Sequence, residues 1–135
     1  MFGNAVDYAK VRIRRRKWFP FQPRKVVMAP RGHLHFHPDS ATYCEDFSAA
    51  PLARQGLFIH EMAHVWQHQK GVFLPLRRWP FSRYIYELKP GKPLARYGIE
   101  QQAEIIRHAF LLRNGAKIAG AEKSVYDTLV AFPDA

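Results

Sequence analysis

Gly56-Leu57-Phe58-Ile59-His60-Glu61-Met62-Ala63-His64-Val65-Trp66-Gln67 is the stretch on which the reading of this chain turns. Phe58, Ile59, Met62, Val65 and Trp66 recur at intervals of three and four, the spacing of a helix with one buried stripe. Gly71 follows as a stop signal, so the pattern predicts a helix over about 53 to 70. His60 and His64 are four residues and about 400° apart on that helix, so both imidazoles project from one face toward a single metal ion. Two neutral imidazoles suit Zn²⁺, and Glu61 beside the first can take a proton from a water that the ion activates. A core helix whose histidines only make hydrogen bonds is the plainer alternative, but it has no need of that carboxylate. His68 lies one turn further on, where the helix carries it away from an ion shared by the first two; it is expected to be a polar surface residue or to support a ligand from outside.

A third ligand is sought downstream, where Gly98-Ile99-Glu100-Gln101-Gln102-Ala103-Glu104-Ile105-Ile106-Arg107 reads as a second helix, roughly 98 to 114, ending at Asn114-Gly115. Glu100 and Glu104 share a face. By spacing alone they are a solvated surface, or either one is the ligand. Glu-x-x-Ala-Glu after His-Glu-x-x-His resembles the gluzincin metallopeptidases. That resemblance implies Glu100 as the third ligand, with Glu104 orienting a ligand histidine through its outer ring nitrogen. Many peptidases of that class carry Asp where this chain has Glu104. The metzincin spacing is absent, because Gln67 and Lys70 occupy the positions it reserves for glycine and a third histidine.

The 135 residues are 47% hydrophobic and 14% aromatic, a composition that predicts a folded chain rather than a disordered one. A length of this order predicts one domain over 1–135, with a basic, strand-rich part (1–52) and a metal-binding helical part (53–135). No apolar run approaches a membrane span, and Met-Phe-Gly-Asn-Ala-Val-Asp lacks the layout of a secretory signal. Cys44 is the single cysteine, too few for a disulfide framework or a thiolate zinc site. The expectation is a cytoplasmic protein whose export, if it occurs, uses a route independent of a signal peptide. The net charge of +10 is concentrated: nine of the 21 basic residues lie between Tyr8 and Pro38, a stretch without Asp or Glu. Such a patch suits nucleic acid, an acidic protein or anionic lipid, and composition does not choose among them.

Val11-Arg12-Ile13-Arg14 alternates like a half-buried strand, with Arg15-Arg16-Lys17 carrying charge into a turn. Lys25 to Met28 fits a short second strand. His33-Leu34-His35-Phe36-His37 alternates again, so the three histidines share a face as an exposed row, a second metal site or an edge that lines substrate. Ser82 to Leu88 reads as a further strand, after a stretch whose prolines exclude a long helix. Tyr84, Tyr86 and Tyr97 are packing residues or donors to an oxyanion. Glu122 to Phe132 closes the chain as a short helix with Val125, Leu129 and Phe132 placed to dock.

The succession Asp7-Tyr8-Ala9-Lys10-Val11-Arg12-Ile13, Leu34-His35-Phe36-His37-Pro38 and Leu57 to Gln67 resembles the small His-Glu-x-x-His domain of bacterial contractile injection systems, in particular proteins described as Vgr-related. The likeness covers about residues 5 to 70, and the Glu100 segment completes it. It implies an α+β, zincin-like fold: a small mixed or antiparallel sheet of three or four strands on the His60 and Glu100 helices. It also implies a zinc-dependent metallopeptidase that acts on a peptide or protein substrate and is associated with a secretion apparatus. Zn²⁺ would be held by His60, His64 and Glu100, with Glu61 as the general base. The rival expectation is a non-catalytic, metal-stabilised module whose basic N-terminal surface engages secretion components or nucleic acid.

Overall fold

In the computed structural model, which describes residues 1–24, 26–72 and 84–132, the organising element is helix α1, Leu52–Gln69. Pro51 precedes it in an extended conformation, and its carbonyl accepts from the amides of Arg54 and Gln55. The Gln55 side chain reaches back to donate to Ser48 O and Ala50 O, fastening the entry to the helix. At the other end Gly71 adopts φ +89°. Gly71 N donates to His68 O and Val72 N to Gln67 O, the paired closure that a left-handed residue permits. Helix α2, Ile99–Arg113, begins with Gln101 Oε1 accepting from Gly98 N and ends in the same closure at Gly115.

The two helices pack against each other, and Met62, Ala63 and Val65 from α1 and Ala103, Ile105, Ile106 and Ala109 from α2 are buried in one hydrophobic core. Gly56 lets the helices approach: a β-carbon there would meet Leu111 Cδ2 at 3.0 Å. Helix α3, Lys123–Leu129, docks on α2 through buried Tyr126. Arg113 ties this end together by donating to Asp127 Oδ1 and Val130 O, each at 2.6 Å. The chain's beginning joins the same core, since Phe2 is buried and its ring lies 5.1 Å from that of Phe132, which also meets Trp66.

The fold is mixed α+β, and its sheet is smaller than the alternation predicts. Among the described residues it comprises β1, Ile13–Arg14, parallel to β2, Leu34–His35, with an isolated antiparallel bridge between Met28 and His35. Lys25, the start of the expected second strand, lies outside the described residues. Leu34 and Phe36 point into the core, as their alternation predicts, and Phe36 meets the rings of Tyr43 and Phe47. Strand β1 departs from expectation, because Ile13 and Arg14 are both exposed; two residues are too short a ladder to present a buried face. The strand expected over Ser82 to Leu88 is not formed in its described part, 84–88. There the chain is held by side chains instead: Gln101 Nε2 donates to Ile85 O, and Lys89 N donates to Tyr97 Oη. Ser82, Arg83 and the preceding proline-rich stretch from Phe73 fall outside the described residues.

Gly32 joins the sheet to α1. It sits at φ +80°, and a β-carbon on it would lie 2.7 Å from Cδ2 of His68. This contact places His68 against the turn before β2. Gln69 strengthens the same junction, accepting from Asp7 N and donating to Asp7 O. Gly32→Ala is expected to cost at least about 1 kcal/mol, from left-handed backbone strain with the clash added. Denaturant unfolding checks this, and an unchanged midpoint would contradict the packing described.

Candidate metal centre

Five polar or ionisable side chains, His60, Glu61, His64, Gln67 and Glu100, are each no more than 5% exposed, and His60, His64 and Gln67 of α1 meet α2 across the helix pair. Burying such groups is costly unless they satisfy one another or hold an ion. Their geometry shows how they are arranged. His60 Nε2 and His64 Nε2 each lie 3.2 Å from the same atom, Glu100 Oε2. The four-residue spacing on α1 sets the rings edge to face with centroids 5.0 Å apart, and the first turn of α2 brings the carboxylate between them. One donor atom from each of the three residues falls within 4.8 Å of the others, and among the described residues no other set of three His, Cys, Asp or Glu does so.

The outer nitrogens of the two rings face acceptors. Glu104 Oε1 lies 2.7 Å from His60 Nδ1, an ion-pair contact whose direction is not that of a well-formed hydrogen bond. Gln67 Oε1 lies 2.9 Å from His64 Nδ1. Burial alone would push the His60 imidazole toward its neutral form. The carboxylates of Glu100 and Glu104, with the charge of Glu61, reverse that and hold its pKa up at about 9. Burial likewise opposes ionisation of Glu104, yet His60, Arg107 and His108 hold its pKa below the usual value. The carboxylates thus make the centre of the cluster electronegative, an environment that suits a cation.

The donor set fits such an ion. Two imidazole nitrogens and one carboxylate oxygen converge, and both outer ring nitrogens are backed by oxygens, the arrangement common to histidines that bind zinc. Of the two ligand histidines Glu104 meets only His60, at its outer nitrogen, and its other contacts are to Arg107 and His108, whereas Glu100 Oε2 lies 3.2 Å from both Nε2 atoms. The spacing left that choice open and the geometry separates the two acids. Tyr84, one of the three tyrosines considered as donors, stacks on the His60 ring with centroids 5.9 Å apart. Tyr86 is engaged elsewhere, its hydroxyl bonded to His108 Nδ1 and to Tyr126 Oη. Tyr97 uses its hydroxyl to hold the backbone at Lys89.

The other histidines have separate work. His33 Nδ1 accepts from Arg12 N, and His37 Nδ1 accepts from Asp39 N. Among the described residues the row His33, His35 and His37 does not assemble a second ligand set, and His68 lies against the turn at Gly32. The basic arm is partly structural as well. Arg12 donates to Ala9 O and Val11 O, while Arg15 donates to Pro38 O and lies over the Tyr43 ring; Arg14 and Arg16 are exposed. Gln67, Gln102 and His108 are the residues of this region that sequence reasoning missed. Their only prior signal is position, since Gln67 lies one turn from His64, and Gln102 and His108 share a helix with the two acids.

No family model matches the chain. Over 98% of its length the chain is 43% identical to the type VI secretion system spike protein VgrG2b of Pseudomonas aeruginosa, of which it spans 14%. The solved effector domain of Pseudomonas aeruginosa VgrG2b superposes with a TM-score of 0.78 at 41% identity, covering 94% of this chain and 72% of that one. Identity of this order across most of both domains, together with a shared fold, means that the chain belongs to the family of the VgrG2b effector domain.

Proposed function

We propose that the chain is a zinc-dependent, gluzincin-like hydrolase of peptide or other amide bonds, with a zincin-like fold, working as an effector of a type VI secretion system. The single observation that carries the chemistry is the convergence of His60 Nε2 and His64 Nε2 on Glu100 Oε2, each at 3.2 Å. The secretion role rests on membership of the VgrG2b effector-domain family, whose larger relative is named as a spike protein of that system. A secretion-apparatus protein is accordingly the partner for delivery. No helix among the described residues is long and apolar enough to cross a membrane.

In this reading His60, His64 and Glu100 would hold the ion, which would supply polarisation of the scissile carbonyl and activation of water near neutral pH. The chain's own residues do the rest. Glu61, buried beside His60 on α1, takes the proton of the attacking water and passes it to the departing amine. Glu104 and Gln67 hold the two rings from behind, so that both inner nitrogens face one point.

The test is cleavage of an unfolded protein substrate by purified protein. Loss of cleavage on chelation and its return with added zinc is the expected result. Absence of cleavage by protein carrying stoichiometric zinc would favour the binding-module reading, in which charge reversal at Arg14, Arg15 and Arg16, rather than metal chemistry, removes the biological effect.

A further inference from the structure

The amide of Gln67 is held in one orientation by its surroundings. Its Nε2 donates to Ile99 O at 2.9 Å and to Gln102 Oε1 at 3.1 Å. Ile99 O is a backbone carbonyl and can only accept. Gln102 is fixed by the same logic, because its own Nε2 donates to Tyr97 O at 2.8 Å and so turns its oxygen toward Gln67. Rotating the Gln67 amide by 180° would set its oxygen against two acceptors in a buried seam, where an unmade hydrogen bond carries its full desolvation cost. Gln67 Oε1 therefore faces His64 Nδ1, at 2.9 Å. An amide oxygen cannot donate, so the proton of that bond belongs to the imidazole.

This matters because Glu100 pulls the other way. Its Oε2, 3.2 Å from His64 Nε2, would accept a proton placed on that nitrogen. A neutral imidazole carrying its proton on Nε2 has no lone pair there for a metal. With Gln67 in place, that tautomer would set the bare Nδ1 against the Gln67 oxygen, two acceptors in contact in the interior.

We propose that Gln67 is a positioning residue that keeps a proton on His64 Nδ1 and so reserves Nε2 for a metal ion, its own orientation being locked by Ile99 O, Gln102 and Tyr97 O. The consequence for metal affinity rests on the metal-centre reading; the assignment of the proton does not. His60 is served differently, by the carboxylate of Glu104, so the two rings are backed by one charged and one neutral acceptor.

Two measurements test this. In metal-free wild-type protein, long-range ¹⁵N–¹H correlation spectra of the imidazoles at alkaline pH are expected to show His64 Nδ1 bearing a proton. An unprotonated Nδ1 would overturn the proposal whether or not the protein binds metal. Zinc affinity is then measured by chelator competition for wild type, Gln67→Met and Gln102→Leu, each shown by circular dichroism to be folded. Gln67→Met is expected to bind zinc on the order of 10- to 100-fold more weakly, the range for residues that orient a ligand from outside. Gln102→Leu is expected to lose less, because Ile99 O still anchors the amide. In Gln67→Met the Nε2–H form of His64 should appear in the metal-free spectra. If folded Gln67→Met binds zinc as tightly as wild type, with the His64 spectrum unchanged, Gln67 is merely structural. If wild type itself binds no zinc, the metal-centre reading fails, while the Nδ1 result still decides the role of Gln67.

Discussion

Replacing Glu61 with glutamine is expected to lower the rate of amide hydrolysis by about 10²- to 10⁴-fold, the usual contribution of a general base, while zinc content stays at the wild-type level. Glutamine has nearly the size and shape of glutamate, so the buried position on α1 beside His60 can still be filled. What is lost is the capacity to accept a proton, because an amide oxygen does not do so near neutral pH. Comparing kcat with metal content separates this role from that of the ligands, whose loss removes both together. A Glu61→Gln protein that carries zinc and keeps activity within tenfold of wild type would show that the base lies elsewhere.

The second large effect is expected at Glu100. Glu100→Ala should weaken zinc binding by more than the roughly 100-fold upper limit seen for residues that act on a ligand from behind, because it removes the one atom common to both imidazoles. Glu104→Gln is the matched comparison. Among the ligand histidines it meets only His60, and at the outer nitrogen, so its loss should fall within that outer range. Competition titration of both variants ranks the two acids directly. Equal losses, or a larger loss at Glu104, would reverse the assignment of the third ligand.

The halves of the site differ in how legibly the sequence records them, and the reason is physical. A helix repeats every 3.6 residues, so the four-residue spacings His60 to His64 and Glu100 to Glu104 state outright which side chains share a face. Both helices end at a glycine that the backbone requires in the left-handed region, which is why Leu52–Gln69 and Ile99–Arg113 are found close to where the pattern places them. The polar lock behind His64 is written in no periodicity. Gln67 and Gln102 come together only because α1 and α2 pack face to face, although they stand 35 positions apart in the chain. Strands suffer similarly, since alternation marks a face but not a partner. Leu34 and Phe36 bury as their alternation implies, whereas Ile13 alternates and is exposed. Tyr84 to Leu88 alternates too, yet the Gln101 side chain binds its backbone at Ile85, and Tyr97 holds Lys89 just after it, where the alternation predicts a neighbouring strand. The burial of Phe2 against Phe132 joins the two ends of the chain, a long-range contact that a local reading does not reveal.

X-ray absorption spectroscopy at the zinc edge, on protein loaded to one equivalent, addresses the metal centre itself. The account predicts a coordination shell of two imidazole nitrogens at about 2.0–2.1 Å completed by oxygen, and no sulfur, with the imidazole signature reduced in His60→Ala and in His64→Ala. A sulfur scatterer, a shell without histidine, or failure of the wild-type protein to retain zinc at all would contradict it.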